Sequence, residues 1–230
     1  MYREERYTDA IQVMTEALAM LGDAESGIHR SVLLNNLGRV HAVVDGHEKE
    51  AERTLRAAIA IDPTFAEYHL DLAMLLTRCQ RYPEAVEAAD AAWSCSTTIA
   101  EIPALLGYLH AQLGDHGRAA DEYGRAARLR PGKQEHLIAA AREACEAGDY
   151  PLTRRWLLRL DRSELTDDQR AEADLLLLEA DLDAAAVIDR DAVLARLRRL
   201  ARQYPESDLV RQNIAALESD DAEVSDGVPR

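Results

Sequence analysis

The chain has 230 residues, 47% of them hydrophobic, and a formal net charge of −15. That charge opposes nucleic acid and anionic membranes, both of which need clustered Lys and Arg against phosphate. No apolar run approaches the roughly 18 residues of a membrane-spanning helix, the opening MYREERYTDA lacks the apolar stretch of a secretory leader, and three cysteines without a CxxC pair fit reduced thiols in a cytoplasm.

Taken in order, residues 2–21 form one helix carrying Ala10, Ile11, Met14, Ala17 and Leu18 on a single face. The stretch GDAESGIHR then joins it to a series of helix pairs. The alanines that open the second helix of each pair set the register: Ala51, Ala85, Ala119 and then Thr153 are 34 residues apart. Ala10 precedes the first by 41 residues, and Val193 follows the last by 40. Small or apolar pairs sit midway along each first helix: Leu37-Gly38, Leu72-Ala73, Leu106-Gly107 and Ala140-Ala141. Gly46, Gly114 and Gly148 fall at the turns, with Gln80 in the same place once. Ala58, Ala92 and Ala126 lie one heptad after each opening alanine, and Pro63, Pro131 and Pro205 stop second helices. Farther on, Thr166-Asp-Asp-Gln169 has the spacing of a capping box and opens a helix through Leu182. Asp189 or Asp191 starts another to about Gln203, and Ser207 begins a last short helix.

This pattern resembles the tetratricopeptide repeat (TPR), which pairs a Leu-Gly, a Gly-Asp-Tyr turn, two alanines and a closing Pro. Leu106-Gly107, Gly114-Asp115-His116, Ala119, Ala126 and Pro131 carry that pattern, and Gly148-Asp149-Tyr150 supplies the turn again. The first-helix Trp is absent, with His69, Pro103 and Leu137 in its place, and one residue is inserted before Gly46. The resemblance implies an all-α fold, a right-handed superhelical solenoid of antiparallel helix pairs. The expected layout is one domain over 1–219: a half-repeat at 2–21, repeats at about 31–64, 65–98, 99–132, 133–165 and 166–204, and a capping helix at 207–218. An acidic, disordered tail over 220–230 completes it.

The candidate chemistry is sparse. His41 and His47 are six residues apart, as are His110 and His116, but the spacing follows the repeat, and no HExxH or Cys/His cluster accompanies it. Cys79 and Cys95, at opposite ends of an antiparallel pair, are too far apart for a disulfide and are expected as buried, inert thiols. No GxSxG, GxGxxG or GxxxxGK[ST] motif occurs. The expectation is therefore a non-catalytic scaffold without metal or cofactor. The resemblance implies a peptide or protein partner in a concave groove lined by first helices. By register that groove takes Asn35, Arg39, Leu70, Met74, Tyr108, Gln112, Ile138 and Arg142, with Cys145 beside them. Glu67, Asp71 and Glu135 stand where a carboxylate clamp would want cations, so a clamp is not expected. The arginine-rich second helices read mainly as solvated faces. Ile11, Met14 and Leu18 are candidates for a contact between two copies, because the first helix lacks its own partner. The alternative function is a regulatory or targeting region of a larger enzyme or complex.

Overall fold

A computed structural model of the chain describes residues 2–21, 27–183 and 189–225. Every regular element among them is helical: α1 (Tyr2–Met20), α2 (Gly27–Ala42), α3 (Glu48–Ile61), α4 (Ala66–Arg78), α5 (Tyr82–Cys95) and α6 (Glu101–Gln112), then α7 (His116–Leu129), α8 (Gln134–Glu146), α9 (Tyr150–Leu157), α10 (Asp167–Asp183), α11 (Arg190–Gln203) and α12 (Asp208–Ser225). Four second helices begin at Glu48, Tyr82, His116 and Tyr150, 34 residues apart. The last helix runs on to Ser225 instead of stopping near 218, so much of the expected tail is helical backbone; 226–230 lie outside the described residues.

Three turns close with the same hydrogen bonds. The amide of Arg81 donates to the Leu76 carbonyl at 3.0 Å, Asp115 to His110 at 2.9 Å, and Asp149 to Ala144 at 2.8 Å. Each is the six-to-one bond of a Schellman motif, which ends a helix by turning one residue left-handed. That residue is Gly114 or Gly148 in two cases, and Gln80 (φ 58°) in the third. The α2–α3 turn, one residue longer, is built differently. Its amides reach back three residues, from Val44 to His41 and from His47 to Val44. His41 and His47 meet across it, Nδ1 to Nδ1 at 3.0 Å. Burial, and then the neighbouring His47, hold the His41 imidazole below its ordinary pKa. The capping box is present: the Thr166 amide donates to Gln169 Oε1 at 2.9 Å and the Gln169 amide to Thr166 Oγ1 at 3.3 Å. Asp189 caps α11 by accepting from the amides of Asp191 and Ala192.

The residues form two compact units, Met1–Asp115 and His116–Arg230. In the first, Leu55, Leu72, Leu76, Ile102, Leu106 and Leu109 fill the spaces left by Ala51, Ala85, Ala89 and Ala92. Burial of each such leucine contributes about 1.5–3 kcal/mol. In the second, Trp156 and Leu137 pack among Ala120, Ala127, Ala140, Ala141 and Ala144. The four register marks Ala51, Ala85, Ala119 and Thr153 are fully buried.

Gly124 on α7 is where Trp156 on α9 seats. A β-carbon at Gly124 would stand 2.5 and 2.8 Å from two atoms of the six-membered ring. Because an indole cannot bend out of the way, Gly124→Ala should cost about 1–3 kcal/mol of stability. A lower urea midpoint together with altered tryptophan emission would register it; an unchanged midpoint would show that Trp156 does not seat there.

Candidate functional site

In unit 1 the exposed sides of α2, α4 and α6 form one continuous groove of three hollows. The first, about 310 Å³, is lined by Val32, Asn35, Phe65, Leu70 and Asp71. The second, about 290 Å³, lies among Arg39, Val43, Asp71, Met74 and Arg78. The third, about 380 Å³, is bounded by Met74, Arg78, Tyr82, Leu105 and Tyr108. Arg39 and Asp71 belong to both the first and second, Met74 and Arg78 to both the second and third. Exposed large apolar side chains stand along it: Met74 is 56% and Tyr108 40% exposed, with Val32 and Phe65 similar. A groove walled by exposed apolar side chains is characteristic of a binding face.

The floor is polar and built across two helices. Asn35 Nδ2 on α2 donates to Asp71 Oδ2 on α4 at 2.8 Å, and Arg39 stands 3.8 Å from the same oxygen. Burial raises the Asp71 carboxyl above its usual pKa, and the bond from Asn35 and the charge of Arg39 oppose that rise. An ionised carboxylate can only accept, so the Asn35 amide must turn its NH₂ toward Asp71. Its Oδ1 is left buried without a hydrogen-bond partner. A buried acceptor in that condition costs stability and is unusual in folded proteins. Beside it, Ser31 Oγ and Tyr68 Oη, 3.1 Å apart, tie α2 to α4, and Phe65 rests on Tyr68 with ring centroids 4.6 Å apart.

Asn35, Arg39, Leu70, Met74 and Tyr108 are thus brought together, Asn35 as floor and Met74 and Tyr108 as exposed walls. Gln112 is exposed at the end of α6 but lines none of the three hollows. Ile138 does not face a groove: it is 2% exposed on α8, which packs against α7, α9 and α10. Cys145, on the same helix, is also buried. Arg142 is exposed and held by Glu172 of α10 at 2.5 Å. Val32, Phe65 and Arg78 were not foreseen as groove residues. Phe65, the chain's one phenylalanine, was the available signal, since an aromatic just before a first helix has no place in the repeat's core register.

At the N-terminus, Ile11, Met14 and Leu18 are half-buried within the α1 stripe that also holds Tyr7, Ala10 and Ala17, and α1 packs on α2. The residues expected at a contact between copies are therefore partly covered within the chain, and the exposed apolar side chains of this region are Val13, Met20 and Ile28. Of the cysteines only Cys145 is buried; Cys79 is half-buried and Cys95 exposed, its thiol donating to the Pro63 carbonyl at 3.5 Å. Burial, and then the nearby Glu179 carboxylate, push the Cys145 thiol up to about 12, which leaves it protonated and unreactive at neutral pH. His116 meets Glu143 at 2.8 Å. Among the described residues no group of three or more His, Cys, Asp or Glu side chains could hold a metal ion, and no helix is long and apolar enough to cross a membrane.

Residues 101–133 match the family described as tetratricopeptide repeat. Among solved structures, the chain is similar to YrrB, described as a TPR protein with an unusual peptide-binding site (14% identity, TM-score 0.67, 87% of this chain and 96% of that one). It is also similar to a tetratricopeptide repeat protein from Parabacteroides merdae (17%, 0.66, 81% and 72%) and to MamA (18%, 0.59, 69% and 88%). At such identities the likeness concerns the fold. No curated protein matches the sequence.

Proposed function

We propose that this chain, whose repeats belong to the tetratricopeptide family, is a non-catalytic scaffold that holds a segment of a partner protein in the α2–α4–α6 groove. The observation that carries the reading is Asn35 Oδ1, a buried acceptor without a partner on the floor of a groove whose walls are exposed apolar side chains. A bound segment supplies what the groove lacks. One of its N–H groups donates to Asn35 Oδ1, and its apolar side chains cover Val32, Leu70, Met74 and Tyr108. The peptide-binding site named for YrrB supports the same use of the fold. The half-buried positions on α1 line none of the three hollows.

The test is capture from a lysate of the source organism on immobilised protein, comparing wild type with Met74→Glu/Tyr108→Ala. Both side chains are exposed, so the variant should fold. A protein retained by wild type and lost by the variant supports the reading. Equal retention by both removes the groove from the interaction.

A further inference from the structure

Residues 175–178 of α10 are four leucines in succession. Successive helical positions turn by about 100°, so one buried face cannot hold all four. In unit 2 this surplus opens onto a cavity of about 560 Å³, a size usual for a binding site. Its walls are Leu175, Leu178 and Leu182 of α10, Leu197 of α11, and Leu209 and Leu217 of α12. Leu209 is 41% exposed at its mouth.

The shape is that of a short trough. The apolar lining residues of α10 span 175–182 and those of α12 span 209–217, which at about 1.5 Å per residue makes two apolar ridges roughly 10–12 Å long. That length suits two turns of an inserted helix. The rim on the α8 and α10 side is net acidic, with three glutamates and one arginine. Glu146 and Glu179 are both exposed there, whereas the third acid, Glu172, is neutralised by Arg142. The field is felt nearby: burial first, and then Glu179, raise both the Cys145 thiol and the Tyr150 hydroxyl.

We propose that the α10–α11–α12 cavity of unit 2 is a docking site that receives an amphipathic helix of a partner protein. Leucine-sized side chains on one face of that helix enter the trough, and Lys or Arg beside them meet Glu146 and Glu179. Helix-in-groove binding of this kind takes its affinity from the apolar anchors and its choice of partner from the rim charges.

The probe is a synthetic fluorescein-labelled helix with leucines at i, i+3, i+4 and i+7 flanked by lysines, paired with a copy carrying glutamates in place of the lysines. Anisotropy titrations use the full chain, Glu146→Gln/Glu179→Gln, and Ala216→Trp, which fills the trough from α12. The lysine probe should bind saturably, and about tenfold or more weakly to either variant. The glutamate copy should bind more weakly than the lysine probe, and Met74→Glu/Tyr108→Ala in unit 1 should leave the lysine probe's affinity unchanged. The Glu→Gln pair alters only exposed carboxylates, so it remains informative if Ala216→Trp misfolds. No saturable binding of the lysine probe, equal affinity for the two peptides, or full affinity retained by the Glu→Gln pair would overturn the proposal.

Discussion

Leu55→Ala is expected to destabilise the first helix pair by about 3–5 kcal/mol, in the upper part of the range for emptying a buried leucine. Leu55 on α3 is fully buried and presses against Gly38 on α2, where a β-carbon would stand 2.7 Å from its Cγ. The absence of a side chain at Gly38 lets the two helices approach, and Leu55 fills the space. Truncating Leu55 leaves a void whose opposite wall is backbone, and backbone relaxes least. Stability in repeat proteins is largely a sum of local terms, so the loss should show as earlier or broader unfolding of unit 1. The two tryptophans help here, since Trp93 lies in unit 1 and Trp156 in unit 2. Urea titration followed by helical signal and by tryptophan emission would detect it. A loss below about 1 kcal/mol would mean that the Gly38–Leu55 contact is not formed in solution.

Met74→Glu/Tyr108→Ala is expected to weaken binding of the groove partner by roughly two orders of magnitude. Truncating a tyrosine anchor at an interface typically costs about 2 kcal/mol or more, and a carboxylate placed on an apolar contact must be desolvated without a partner. Together these amount to about 3 kcal/mol, or about a hundredfold in Kd. The folded chain should be nearly indifferent, because both side chains are exposed and contribute little to the core. Titration calorimetry with the captured partner, alongside thermal melts, separates the two effects. A large loss of affinity with an unchanged melt is the expected pair of results, and unchanged affinity would exclude Met74 and Tyr108 as anchors.

What the sequence disclosed was what local chemistry repeats. Ala51, Ala85, Ala119 and Thr153 could be placed in the core because four positions at one spacing must serve one packing purpose, and all four are fully buried. The turns were legible even through a substitution: Gln80 takes the left-handed conformation of Gly114 and Gly148 because the Arg81–Leu76 bond imposes it. The capping box at Thr166 and Gln169 needs only four residues, so it could be read directly. What could not be read is how closely the fold covers each register position. Ile138 occupies a register position that is half-exposed as Leu70 in α4, yet in α8 it is enclosed. Cys95 was expected inside but ends α5 at the surface. Asn35 was placed in the groove by register, but its bond to Asp71, 36 residues away, is a tertiary contact that no local pattern announces. The run of leucines at 175–178 was visible from the start, and the trough beneath it appears only once α12 is laid beside α10.

The most direct measurement of the scaffold reading is hydrogen–deuterium exchange of the chain with and without its captured partner. Slowed exchange should concentrate in peptides from α2, α4 and α6, strongest around Asn35, Asp71 and Met74, with α3 and α5 little changed. Protection confined to α3 and α5, with α4 exchanging as in the free chain, would contradict the account, because the partner would then sit on the second helices and Asn35 would still lack its donor.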